Sequence, residues 1–108
     1  MGNRAVLDDA FLALADSTRR TVLTRLARGP ASVSELAAPT SMALPSFMKH
    51  IRLLERSGWI RTHKSGRVRT CIFEPQQLPI VDDWLARQKA LWEARTDRLE
   101  RFLDVETE

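Results

Sequence analysis

The chain has 108 residues, of which 44% are hydrophobic and 29% charged; this is globular material, without the size for a separate catalytic module. Seventeen Lys and Arg against fourteen Asp and Glu give a formal net charge of +3 and a pI near 9.7, an excess too small to imply nucleic acid unless the cations cluster. A lone cysteine, Cys71, excludes an intramolecular disulfide and points to a reducing compartment. The opening MGNRAVLDDAF has no apolar core of signal-peptide length, and no stretch approaches the ~20 apolar residues of a membrane span. The expectation is a cytoplasmic protein without membrane association.

In chain order, residues 8–15 place Ala10, Phe11, Leu14 and Ala15 on one helical stripe. Asp16-Ser17 supplies an N-cap for a second helix over 18–28, whose inner stripe is Val22, Leu23, Leu26 and Ala27. Gly29-Pro30 ends it, Gly by accepting a left-handed conformation and Pro by being unable to continue. Ser32-Val33-Ser34-Glu35 spells a capping box opening a short helix that stops near Ala38, before Pro39. A further helix covers 44–57, with Pro45 tolerated in its first turn and Gly58 at its exit.

From Trp59 to Phe73 the period changes to two. Ile60 and Thr62 precede Lys64-Ser65-Gly66-Arg67, while Val68, Thr70 and Ile72 follow, predicting a two-stranded hairpin with Gly66 as the positive-φ residue. After a linker at Glu74–Gln77, a helix over 78–103 runs for roughly 37 Å. Its apolar seam of Val81, Leu85, Trp92, Leu99 and Phe102 is widened by Trp84 and Leu91 and interrupted by Gln88 and Arg95.

The chemistry concentrates in the middle of the chain. A short capped helix, a turn and a second helix make a helix-turn-helix arrangement. On a wheel of the second helix, Leu44, Phe47, Met48, Ile51 and Leu54 share one side, and Pro45, Ser46, Lys49 and Arg52 oppose them. Leu53 falls among the polar residues and is expected to pack on a neighbouring element. Such a helix anchors its apolar back and carries donors into the major groove, although an amphipathic helix alone would present the same charges to water. The hairpin adds Arg61, His63, Lys64, Arg67 and Arg69 on one short ribbon, the wing of a winged helix, where cations meet phosphates beside the groove.

The segments FLALADSTRRTVLTRLARGPASVSELA and ALPSFMKHIRLLERSGWIRTHKSGRVRTCIF resemble the ArsR family of winged-helix repressors, and the likeness extends from about Phe11 to Leu103. The resemblance implies a mainly α fold with a small β-hairpin wing and a long C-terminal dimerisation helix, forming a single winged-helix DNA-binding domain over 1–108 (core 8–77, dimerisation helix 78–103). It implies a homodimer whose first and last helices pair through Phe11, Val81, Trp84, Leu85, Gln88, Leu91, Trp92, Arg95, Leu99 and Phe102. Two recognition helices would then read an inverted repeat in double-stranded DNA through Pro45, Ser46, Lys49, His50 and Arg52, with the wing residues beside them. His50 stands at a histidine position of the family, and its intermediate place on the wheel leaves a structural hydrogen bond and a DNA contact both open. Members lacking metal ligands regulate their own operon beside genes for lipid-binding-like proteins, which implies an autoregulatory repressor.

The family's metal sites are not spelled out here: SELAAPTSM has no cysteine and the last helix no histidine. Its acids Asp82, Asp83, Glu93 and Asp97 suit surface pairing better than transition-metal ligation, so neither metal nor cofactor is expected. Cys71 with His63 offers too few ligands for zinc, and as a single strand cysteine reads as packing more readily than as a thiol switch. Trp84 and Trp92, two turns apart, leave open a small apolar pocket for an unidentified small-molecule effector. No phosphate loop, nucleophile elbow or acid–base pair suggests an enzyme. The alternative function is a winged-helix protein-interaction module without DNA binding, against which the basic ribbon argues.

Overall fold

The computed structural model describes residues 2–107, with side chains over 4–104. Five helices and three strands follow in the order α1 (Gly2–Leu14), α2 (Ser17–Leu26), β1 (Ala31–Ser32), α3 (Val33–Ala37), α4 (Leu44–Arg56), β2 (Ile60–Ser65), β3 (Val68–Phe73) and α5 (Gln77–Thr107). This is a mainly helical winged helix-turn-helix with a long C-terminal helix. Helix α1 begins earlier than expected because half-buried Val6 and Leu7 extend the stripe of Ala10 and Phe11 by a turn.

Helix α2 starts where Asp16 accepts the Arg19 amide at 3.1 Å. At α3 only half of the capping box forms. Ser32 Oγ accepts the Glu35 amide at 3.1 Å, whereas the Glu35 carboxylate lies 3.8 Å from Arg25, so its charge is directed to α2.

The wing has three strands, in the order β1-β3-β2, all antiparallel. Ala31 and Ser32 pair with Cys71 and Thr70, an addition too short to leave any alternation in the sequence. The hairpin closes between Ser65 and Val68 through Gly66 and Arg67. Gly66 has φ +62° and stands first in this two-residue turn, the place where a II′ hairpin requires glycine.

Phe47, Ile51 and Leu54 on α4 lock into Ala10, Ala13, Val22, Leu23 and Leu26, so the helix-turn-helix and the two preceding helices share one core. Trp59, at the exit from α4, is buried and donates its indole N–H to the Ala10 carbonyl at 3.1 Å, fastening α1 to the root of the wing. Phe73 faces it at a ring separation of 6.4 Å.

Cys71 on β3 is fully buried in the same core, while His63 on β2 is exposed, so the hairpin does not join them into a ligand pair. Burial foremost, with the Glu55 charge adding and the Arg69 charge opposing, pushes the Cys71 thiol up to about 11. With so little thiolate at neutral pH, Cys71 is expected to react with a disulfide reagent only as fast as the protein unfolds, and at once in denaturant. Rapid labelling of the native protein at pH 8 would contradict this and restore the thiol switch.

Candidate nucleic-acid interface

Helix α4 presents two chemically different faces. Phe47, Ile51 and Leu54 are each no more than 1% exposed, whereas Pro45, Ser46, Lys49 and Arg52 face solvent. Met48 packs on the rim of the core. Leu44, expected on the inner side, is instead 55% exposed because it opens the helix before α4 reaches the core. Leu53 does pack against the buried cluster, which explains an apolar residue among polar ones.

The His50 side chain turns inward, with only 19% exposed. Its Nδ1 lies 3.1 Å from Arg19 Nη1 and 3.7 Å from Asp16 Oδ2. Arg19 also donates to the carbonyls of Ala13 at 2.8 Å and Leu12 at 2.9 Å, so one guanidinium ties the end of α1 to the middle of α4. Burial raises the Asp16 carboxyl, but the Arg19 amide and the charges of His50 and Arg19 outweigh it, together with the Thr18 amide, and leave it below its ordinary value. Of the two roles left open for His50, the geometry supports the structural hydrogen bond: Nδ1 faces Arg19 and Asp16 and helps to orient α4.

The wing residues divide in the same way. Arg61 is bound to the Glu74 carboxylate at 2.7 Å, a bond that with Gln76 holds Glu74 below the usual carboxylate range. Arg69 is half-buried and donates to Thr62 Oγ1 at 2.9 Å. Thr62 in turn gives both its amide and its hydroxyl to Glu55 Oε2, at 3.1 and 2.6 Å. The chain Glu55–Thr62–Arg69 therefore fixes the angle between α4 and the wing, a role the sequence reading missed because it depends on strand register. Arg61 and Arg69, both expected to meet DNA, thus each also hold a partner within the wing, although the Arg61 side chain stays 62% exposed. His63, Lys64 and Arg67 are exposed and have no bonded partner among the described residues.

Lys64, Arg67 and Arg69 line a cleft of about 350 Å³ together with Leu44 and Met48 of α4 and Ser32–Ser34 at the start of α3. The cationic tip thus lies beside the first turn of α4 and the amide-bearing end of α3. Such a surface suits a polyanion flanking a groove.

Among solved structures, the chain superposes on the crystal structure of an ArsR family transcriptional regulator with a TM-score of 0.81 and 64% sequence identity, over 83% of this chain and 93% of that one. The chain belongs to the ArsR family of transcriptional regulators. A family described as "Helix-turn-helix domain" matches residues 14–63, the stretch from the end of α1 into the wing. Among curated relatives, this ArsR family regulator is 35% identical to the HTH-type transcriptional regulator Rv2034 of Mycobacterium tuberculosis over 71 residues, 66% of each chain. It is 28% identical to the transcriptional repressor SdpR of Bacillus subtilis over 61 residues, 56% of this chain and 68% of that one. The match to the first of these curated relatives spans just under two thirds of its length.

The remaining expected sites of the regulator lie on α5 and, for Phe11, on α1. Val81 is 8% exposed and belongs to its own chain's core, which corrects its place among the pairing residues: the first turns of α5 pack on α1. Phe11 and Trp84 meet edge to face at 5.4 Å within the one chain and are half-buried. Beyond them, Leu85, Leu91, Trp92, Leu99 and Phe102 are all at least half exposed, with Gln88 and Arg95 exposed between them. Two of the four helix acids pair locally, Asp83 with Arg87 at 3.7 Å and Glu93 with Lys89 at 4.0 Å, while Asp82 and Asp97 have no ion pair among the described residues. No described helix is long and apolar enough to cross a membrane.

Proposed function

We propose that this ArsR family regulator binds double-stranded DNA as a homodimer and represses transcription, including that of its own gene, by occupying an inverted-repeat operator. One observation carries the reading: Lys49 and Arg52 point outward from a helix whose opposite face is core, with the unpaired cations Lys64 and Arg67 at the neighbouring wing tip. Ser46, Lys49 and Arg52 supply base-edge and backbone contacts; His63, Lys64 and Arg67 supply phosphate contacts. The name of the repressor relative supports repression, and the bare apolar seam of α5 supports pairing. Residues 8–77 serve as the reading head and 78–103 as the pairing helix.

A footprint on the region upstream of its own gene tests this. Two protected half-sites related by two-fold symmetry are expected, one or more helical turns apart (~34–36 Å each). The phosphate contacts of Lys64 and Arg67 on both protomers would alone give a salt slope of about −4. A reporter driven by that region should gain activity when the gene is deleted. Absence of protection at moderate salt, or loss of reporter activity on deletion, contradicts the corresponding half of the proposal.

A further inference from the structure

A further groove lies away from both α4's outer face and α5. It has a volume of about 470 Å³ and runs along α2 against α3 and the turn that follows. That size falls within the ~300–1,000 Å³ of small-molecule sites. Its floor is apolar, formed by Val22, Leu36 and Pro39, and its rim carries two cations, Arg25 and Arg28.

The rim is electrostatically one-sided. The Arg25 guanidinium donates to the Gly29 carbonyl at 3.0 Å and approaches the exposed Glu35 carboxylate at 3.8 Å, so it is held in place while only loosely neutralised. Arg28 is exposed and has no side-chain partner among the described residues. Glu35 is the groove's single acid. A fixed cation, a free cation and an apolar floor are complementary to one chemistry: an organic anion with an apolar body. A carboxylate or phosphate head can accept hydrogen bonds from an arginine fork, while the body covers the floor.

The groove also reaches the joint of the helix-turn-helix. Thr40, on its wall, donates to the Ala37 carbonyl at 2.7 Å and accepts the Met42 amide at 3.3 Å, so it stitches the turn between α3 and α4. We infer that the α2–α3 groove is a binding site for a small amphipathic organic anion, with Arg25 and Arg28 as its head-group ligands. An occupant rests against the turn that sets the angle of α4. Any effect on DNA rests on the function proposed above, but binding itself does not.

The test is a titration of the full chain, without DNA, followed by amide chemical shifts. The probes are 4-phenylbutyrate, 4-phenylbutan-1-ol and inorganic phosphate. Shift changes from 4-phenylbutyrate are expected to cluster over residues 17–40. The neutral alcohol and inorganic phosphate should each bind at least about tenfold more weakly, and Arg28→Ala should weaken the carboxylate by a similar factor while Arg28→Lys recovers part of it. Because Arg28 is exposed and unbonded, the alanine variant should keep the wild-type melting temperature. Equal affinity for acid and alcohol, equal affinity for inorganic phosphate, shifts clustered elsewhere or no binding at millimolar probe would each overturn the inference. So would an Arg28→Ala variant that loses affinity for the footprinted DNA while its 4-phenylbutyrate titration is unchanged, since Arg28 would then be a DNA backbone ligand. Failure of this titration leaves the footprint untouched, and the reverse also holds.

Discussion

Phe47→Ala is expected to remove about 3–5 kcal/mol of folding stability, enough to leave the protein partly unfolded at 37 °C. Phe47 is fully buried at the centre of α4's inner face, among the core residues of α1 and α2. The truncation loses the transfer energy of the ring and leaves a cavity lined by groups that cannot close on it, since Ile51 and Leu54 are themselves held by the helix. A urea titration measures the loss. The variant should also lose DNA binding although Phe47 faces away from solvent, because the outward residues are aimed only by this packing. A midpoint shift worth less than about 1 kcal/mol would mean that α4 is anchored elsewhere.

Trp92→Glu is expected to convert the regulator from a dimer to a monomer. Trp92 and Leu91 are each 66% exposed on the single chain, and with Leu85, Leu99 and Phe102 they form an apolar strip about 25 Å long. Such a strip left to water marks an interaction surface. In a two-fold pair each substitution acts twice, and a central tryptophan contributes about 2–4 kcal/mol, so dimerisation should weaken by a thousandfold or more. Sedimentation equilibrium should give twice the 12.3 kDa chain mass for the wild type and the single mass for the variant. The variant should still unfold cooperatively, since Trp92 lies outside the core. A wild-type monomer, or a variant that stays dimeric, would place the pairing surface elsewhere.

Periodicity carried much of the fold. The 3.6-residue spacing of Phe47, Ile51 and Leu54 was enough to orient α4, and the two-residue alternation around Gly66 was enough to find the hairpin. What remained hidden depended on contacts between elements. Strand β1 is two residues long and exists because Ala31 lies beside Cys71. Val81 follows the α5 seam in sequence, yet packs into its own chain because α1 covers the start of α5. Among the wing cations, composition could not separate the bound from the free. Arg61 and Arg69 are taken up by Glu74 and Thr62 through the register of β2 and β3, and His50 by Arg19 across thirty-one positions.

The double variant Lys49→Ala/Arg52→Ala tests the central claim most directly, by fluorescence anisotropy on the footprinted fragment across a salt series. Neither side chain is buried, so the melting temperature should hold. With about 1–3 kcal/mol per base-edge contact and two copies per dimer, affinity should fall at least a hundredfold at moderate salt, with a shallower salt slope. Wild-type affinity and slope in that variant would mean that the outer face of α4 does not read DNA.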